Sequence, residues 1–222
     1  MWGKRHGNFA NKNQVRKMKT TAYLIRHGDI ECANRIPGRM AGMHLSSHGK
    51  KQASQLVEFF KNRRLDAIYS SPMERAVETA AALADKKRLQ IQICDAFNEI
   101  EFGKWTNKEF AALESDFAWK QFHFFRKGAV IPDGELMIEV QSRMIGQLQL
   151  LKEKHKGQSF AVFSHNDPIK SVIAFYSGIS LDLFLRITID TGSISTLQFD
   201  NELCDITMIN ITGDFQAYWE RA

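Results

Sequence analysis

The sequence predicts an α/β protein, a three-layer α/β/α sandwich on a mostly parallel central sheet with a small helical cap beside it. Three observations lead there. Short apolar runs of strand length, Tyr23-Leu24-Ile25, Ala67-Ile68-Tyr69 and Phe160-Ala161-Val162-Phe163, alternate with segments whose apolar residues recur at helical spacing. These runs end in polar residues or glycine, as strands do when they deliver side chains to a sheet's carboxyl edge. Toward the C-terminus, strand-like stretches follow one another without an intervening helix, which suits an antiparallel edge.

Taken in order, the first strand covers about 20–26 and opens into a polar loop reaching about residue 46. That loop carries Asp29, Glu31, Asn34, Arg39 and His44 and is long for a connector, which favours a functional role. Ser46 or Ser47 caps a helix over about 49–60, whose packing face is Ala53, Leu56, Val57 and Phe60. The second strand, 66–70, runs into Ser71-Pro72, a cap and first-turn proline that start another helix. Arg75 falls in its first turn, where the helix dipole gives a cation nothing. An anion bound there would explain it; a surface arginine is the plainer alternative.

A third short strand, 89–94, feeds the polar stretch from Asp95 to Trp105. The segment 106–127 reads as helical and holds Phe110, Phe117, Trp119, Phe122, Phe124 and Phe125, aromatics expected to form the core of a cap over roughly 104–134, except for one or two near the loop ends that would touch a ligand. Pro132-Asp133-Gly134 breaks the chain before a long helix over about 135–155, patterned by Met137, Val140, Met144, Leu148 and Leu151. The fourth strand, 159–164, ends in Ser164-His165-Asn166-Asp167 and is followed by a helix through Ile169, Val172, Ile173 and Tyr176. Alternating stretches at 187–190 and 193–199, and a last one at 204–209, complete the sheet. One domain over 18–213 is expected, between a disordered basic tail at 1–17 and a short C-terminal tail at 214–222.

Composition narrows the function. The 222 residues are 44% apolar and 25% charged, as in a soluble globular protein, with no apolar run of membrane-spanning length. The formal charge is +5, and Lys4, Arg5, Lys12, Arg16 and Lys17 account for all of it. The remainder balances to zero, so the domain has no positive surplus to recommend nucleic acid as a partner. The basic leader reads as an inert tail, against a nucleic-acid arm or a chain that starts at Met18. Cys32, Cys94 and Cys204 are too few and too scattered for a disulfide framework or a thiolate metal site, and fit a reducing cytoplasm.

Two strand ends carry histidine, Arg26-His27-Gly28 and Ser164-His165-Asn166. Parallel strands would bring both to one rim, and Arg75 and Glu99 follow intervening strands, so all five groups can meet. Two arginines and two histidines suggest an anion site, because guanidinium binds phosphate through paired, charge-assisted hydrogen bonds. A zinc site built from the histidines and a carboxylate is the competing constellation, and the arginines weigh against it. A binding module without catalysis is the other competitor; Glu99 beside phosphate makes more sense as a proton donor. No nucleotide-binding glycine loop, His-Glu-x-x-His pair or Gly-x-Ser-x-Gly elbow is present.

Four stretches taken together, Arg26-His27-Gly28, Asp66 to Ala80 with Ser70-Ser71-Pro72-x-Glu74-Arg75-Ala76, Asn98-Glu99-x-x-Phe102-Gly103-x-Trp105, and Ser164-His165, resemble the histidine phosphatase superfamily, also called phosphoglycerate mutase-like. Leu45-Ser46-x-x-Gly49-x-x-Gln52-Ala53 is similar to its loop-to-helix junction. The resemblance runs in order from about residue 20 to 210. It implies the phosphoglycerate mutase-like fold, and His27 as the nucleophile that becomes phosphohistidine. By it, Arg26, Arg75 and His165 hold the phosphoryl oxygens, and Glu99 protonates the leaving alcohol and then activates water. No metal or cofactor is implied, since the arginines and His165 supply the positive charge.

The chain departs from the family pattern in places. Ile30 stands where many relatives have threonine, Asn34 lies one position late, and the loop through Pro37-Gly38-Arg39-Met40 is longer. Asn34 and Arg39 are therefore candidate phosphate contacts, against mere loop packing, and Asn166 replaces a common glycine and would narrow the pocket. The Arg-x-Tyr-Gly segment and paired arginines of the mutases are missing between Glu99 and His165. The expectation is hydrolysis of a small phosphorylated metabolite; the alternative is a phosphoglycerate mutase or other phosphomutase using the same histidine. Neither a nucleic-acid nor a membrane partner is expected, and a homodimer is left open.

Overall fold

The computed structural model describes residues 19–32, 34–200 and 203–213, so both expected tails lie outside the described residues. The strands are β1 (Thr20–Arg26), β2 (Ala67–Ser70), β3 (Ile91–Ile93), β4 (Ser159–Ser164), β5 (Ile194–Asp200) and β6 (Leu203–Ile211). They form one sheet in the order β3-β2-β4-β1-β5-β6. β1 to β4 pair in parallel, and β5 and β6 close one edge antiparallel.

Alternation along the central strands sorts the core onto two faces. Ala22, Leu24, Phe160 and Val162 point to one side; Tyr23, Ile25, Ala161 and Phe163 point to the other. Helices α1 (Ser47–Phe60) and α2 (Glu74–Lys87) cover the second face through Leu56, Phe60, Ala76, Ala80 and Leu83. Helices α5 (Met137–Lys154) and α6 (Asn166–Ser177) cover the first through Met144, Leu148, Ile169 and Val172. Each large apolar side chain buried this way stabilises the fold by roughly 1.5–3 kcal/mol. Both faces of the sheet are covered, which gives the three layers.

The cap differs in detail from the helical segment expected over 106–127. Two short helices, α3 (Phe110–Leu113) and α4 (Phe117–Phe124), replace it, because the Asp116 carboxylate accepts from the Trp119 amide and starts a new helix. Its aromatics also divide differently from expectation. Phe122 is buried with Trp105, at a ring distance of 5.4 Å, whereas Phe117, Phe124 and Phe125 are exposed. The loop after β1 is sewn to this cap: Ile36 and Lys108 share a backbone hydrogen bond, as do Asn34 and Phe110. The stretch 187–190 is not a strand. It follows a 3-10 turn (Leu181–Arg186), and the Ile189 carbonyl accepts from Arg26 Nη1 at 2.6 Å instead of joining the sheet.

Candidate active site

The register of the sheet fixes the site. Arg26 of β1 lies opposite Ser164 of β4, so the next residues on those parallel strands, His27 and His165, emerge side by side with ring centres 5.1 Å apart. The His27 amide donates to the Ser164 carbonyl, and the Ser71 amide at the end of β2 donates to Phe163. Three strand ends thus meet at one rim, and α2 and α6 begin there.

His27 Nδ1 is 2.7 Å from the Gly28 carbonyl, an oxygen that can only accept. The proton therefore sits on Nδ1, and the Nε2 lone pair is left to face Arg75 Nε at 3.3 Å. Burial, with the charges of Arg75 and Arg26, holds His27 well below the ordinary imidazole range, so the ring is neutral and nucleophilic at neutral pH. Gly28 is held in turn: its amide donates to Thr79 Oγ1 at 2.9 Å. A side chain at Gly28 or Gly49 would drive into backbone, since a Cβ at Gly49 would lie 2.2 Å from the Asp29 carbonyl. That close approach explains the Ser46-x-x-Gly49-x-x-Gln52 pattern: Ser46 Oγ donates to Asp29 and accepts from Gly49, and Gln52 accepts from the Asp29 amide.

Arg75 is wholly buried, donates from Nη2 to the Gly38 carbonyl at 2.7 Å, and leaves Nη1 without a partner among the described residues. Arg26 Nε is likewise unpartnered. His165 is fixed through Nε2 by Ser71 Oγ at 2.8 Å, and its buried Nδ1 has no hydrogen-bond partner among the described residues. Unsatisfied buried donors cost about 1–3 kcal/mol each, more when charged, and a tetrahedral oxyanion would satisfy several at once. Glu99 completes the group, with Oε2 3.8 Å from His165 Nδ1. Burial first, then the Asp167 charge, outweigh Arg75 and Arg26 and push its carboxyl up to about 7. Near neutrality it is therefore divided between acid and carboxylate, able both to give and to take a proton.

Arg26, His27 and Glu99, with Asn166, line a cavity of about 390 Å³. Phe110, Trp119 and Phe122 of the cap line it too, with Arg35, His123 and Arg126. Among the described residues, no group of three His, Cys, Asp or Glu side chains is arranged to hold a metal ion.

A family model described as "Histidine phosphatase superfamily (branch 1)" matches residues 22–212. The chain belongs to the histidine phosphatase superfamily. Phosphoserine phosphatase 1 of Hydrogenobacter thermophilus is 31% identical over 208 residues, covering 90% of this chain and 96% of that protein. A mutant phosphoserine phosphatase from Entamoeba histolytica, solved in complex with phosphoserine, superposes with TM-score 0.78 at 25% identity, covering 86% of this chain and 96% of the other. Bacillus stearothermophilus YhfR has the same fold, with TM-score 0.83 at 24% identity over 87% and 98% of the two chains. The fold and family of this histidine phosphatase are those that the strand-end motifs resemble, and the activity that goes with them is phosphomonoester hydrolysis.

Within this phosphatase, Arg26, His27, Arg75, Glu99 and His165 come together at the rim, and Asn166 lines the cavity, its amide 3.1 Å from Asp167 Oδ1. Two candidates sit elsewhere. Asn34 is exposed, in a left-handed turn (φ 57°) whose carbonyl anchors Phe110, because the cap needs that backbone partner. Arg39 points away from the phosphoryl site: its Nε donates to the Glu99 carbonyl at 2.8 Å and its Nη2 to Glu135 at 3.0 Å. Carboxylates at Glu135 and Glu101 draw it there. Sequence reasoning missed Ser71 as the partner of His165, having read it as a helix cap; α2 begins only at Glu74. It also missed the buried Arg126–Asp167 pair (2.8 Å), whose signal was an acidic residue just after the second histidine and an arginine among the cap's aromatics.

Proposed function

We propose that this phosphatase hydrolyses a compact phosphomonoester of amino-acid type, phosphoserine or a close analogue, through a phosphohistidine at His27. In the first half-reaction Nε2 of His27 forms the N–P bond as the P–O ester bond breaks in line, and the Glu99 carboxyl proton passes to the leaving alkoxide. The Gly28 carbonyl keeps Nδ1 protonated, so the positive charge that develops on the ring is shared with an acceptor. Arg26 and Arg75 offer unpartnered donors to the equatorial oxygens, and His165 offers Nδ1–H in the tautomer whose Nε2 accepts from the Ser71 hydroxyl. In the second half-reaction the Glu99 carboxylate takes a proton from the attacking water, and phosphate leaves His27. The single observation carrying this reading is the His27 ring locked with Nδ1 on Gly28 and its unprotonated Nε2 held by the Arg75 Nε–H, in the cavity that Glu99 also lines.

The leaving-group side supports the substrate class. Arg126 and Asp167 both line the cavity and form a buried ion pair, with the guanidinium stacked 3.6 Å from the Phe122 ring centre. A wall showing both signs suits a zwitterionic head group carrying both ammonium and carboxylate, and related proteins bear the phosphoserine phosphatase name. Arg126→Met should lower kcat/KM for L-phosphoserine about 10- to 100-fold, since a lost charged hydrogen bond is worth roughly 1.5–3 kcal/mol, and should affect p-nitrophenyl phosphate far less. Equal losses on the two would refute the assignment. Interconversion of 2- and 3-phosphoglycerate with little phosphate release would overturn hydrolysis itself. The cysteines Cys32, Cys94 and Cys204 are free, which suits a cytoplasmic setting.

A further inference from the structure

Arg143 projects from α5 toward the loop that bears Glu99, and it is absent from the cavity lining. Its Nη1 donates to the Ala96 carbonyl at 2.7 Å and the Asn98 carbonyl at 2.9 Å. Its Nη2 donates to the Glu99 carbonyl at 3.1 Å and to Glu135 Oε2 at 3.0 Å, and Nε donates to Glu135 Oε1 at 2.7 Å. Every N–H of the guanidinium fork is thereby used. Arg39 reaches the same two acceptors, the Glu99 carbonyl and Glu135 Oε2, from the loop after β1. Three carbonyls of one short loop thus converge on one planar cation, which a carboxylate holds in place.

We infer that Arg143 is a positioning residue for the general acid, with Arg39 as its second arm. The inference rests on the reading of Glu99 as proton donor. The carboxyl itself has few fixed contacts: Oε1 accepts from the Ile100 amide at 3.0 Å, while Oε2 stands toward His165. The direction of its acidic proton is therefore set by the backbone of 96–99, and that backbone is set by Arg143. The same loop after β1 also offers the Gly38 carbonyl to Arg75, so the arginine facing His27 and the acid are braced from adjacent residues. A lysine at 143 would keep the charge but has three donors on a single nitrogen, and could not span three carbonyls and a bidentate carboxylate.

Leaving groups of graded basicity separate positioning from plain stabilisation. p-Nitrophenyl phosphate expels an anion that needs no proton, phenyl phosphate is intermediate, and benzyl phosphate expels an alkoxide that does. Arg143→Lys should lower kcat/KM, corrected for folded fraction, by less than about 5-fold for the nitrophenyl ester and about 100-fold for the benzyl ester, the size of loss that a 1 Å misplacement produces. Arg39→Met should show the same gradient, smaller in size, and remains informative if Arg143→Lys folds poorly. Equal losses on all three esters, or none, would overturn the inference. Glu99→Gln is the reference: if its own losses show no gradient, the acid reading fails; if they do and those of the arginine variants do not, the positioning role alone fails.

Discussion

Replacing Glu99 by glutamine keeps the shape of the side chain and removes its ionisation, so it isolates what burying this carboxyl does to the fold. The group is 8% exposed, and its folded value lies at about 7 against an ordinary 4.5. Between those two values the folded protein holds a proton that the unfolded chain has released, so stability falls as pH rises through the window. At 1.36 kcal/mol per pH unit the full loss is about 3 kcal/mol, most of it between about pH 5 and pH 8. Glutamine has no such term. Urea unfolding of both proteins at the two pH values therefore predicts that Glu99→Gln gains about 2–3 kcal/mol on the parent as pH rises. A difference between the two proteins that does not change with pH would refute the buried, proton-retaining Glu99, and with it the acid that the chemistry needs.

Other expectations concern the surroundings of that acid. Asp167 raises the Glu99 carboxyl, so Asp167→Asn should move the alkaline limb of kcat/KM for benzyl phosphate to lower pH; an unmoved or raised limb contradicts the electrostatic assignment. Trp105 is 1% exposed and packs edge-on against Trp119 at 5.1 Å, so Trp105→Ala should cost about 3–5 kcal/mol in denaturant unfolding, and a loss below about 1 kcal/mol would show that the cap is not anchored there.

Local pattern carried the sheet. Tyr23 to Arg26 and Phe160 to Ser164 are apolar on both faces and end in polar residues, so strand type and direction could be read without partners, and parallel pairing then places His27 beside His165. Elements whose form depends on distant neighbours were not legible. Ile187 to Ile189 alternates like a strand, but its carbonyl is taken by Arg26, about 160 residues earlier in the chain. Ser71-Pro72 has the composition of a helix cap, but the hydroxyl faces His165, more than 90 residues away. Arg39 and Arg143 lie about a hundred residues apart in the chain, and no periodicity announces that both donate to the Glu99 carbonyl and to Glu135. A loop arginine weighed as a phosphate contact against loop packing is, in the fold, hydrogen-bonded to the Glu99 carbonyl and Glu135.

The central claim is that His27 takes the phosphoryl group. Acid-free denaturing quench of a reaction with 32P-labelled L-phosphoserine, or with labelled p-nitrophenyl phosphate, followed by peptide mass analysis, tests it directly. The account predicts an acid-labile, alkali-stable phosphoryl group on the peptide containing His27, absent from His27→Ala. Label that persists in His27→Ala, or that maps to His165, would contradict it.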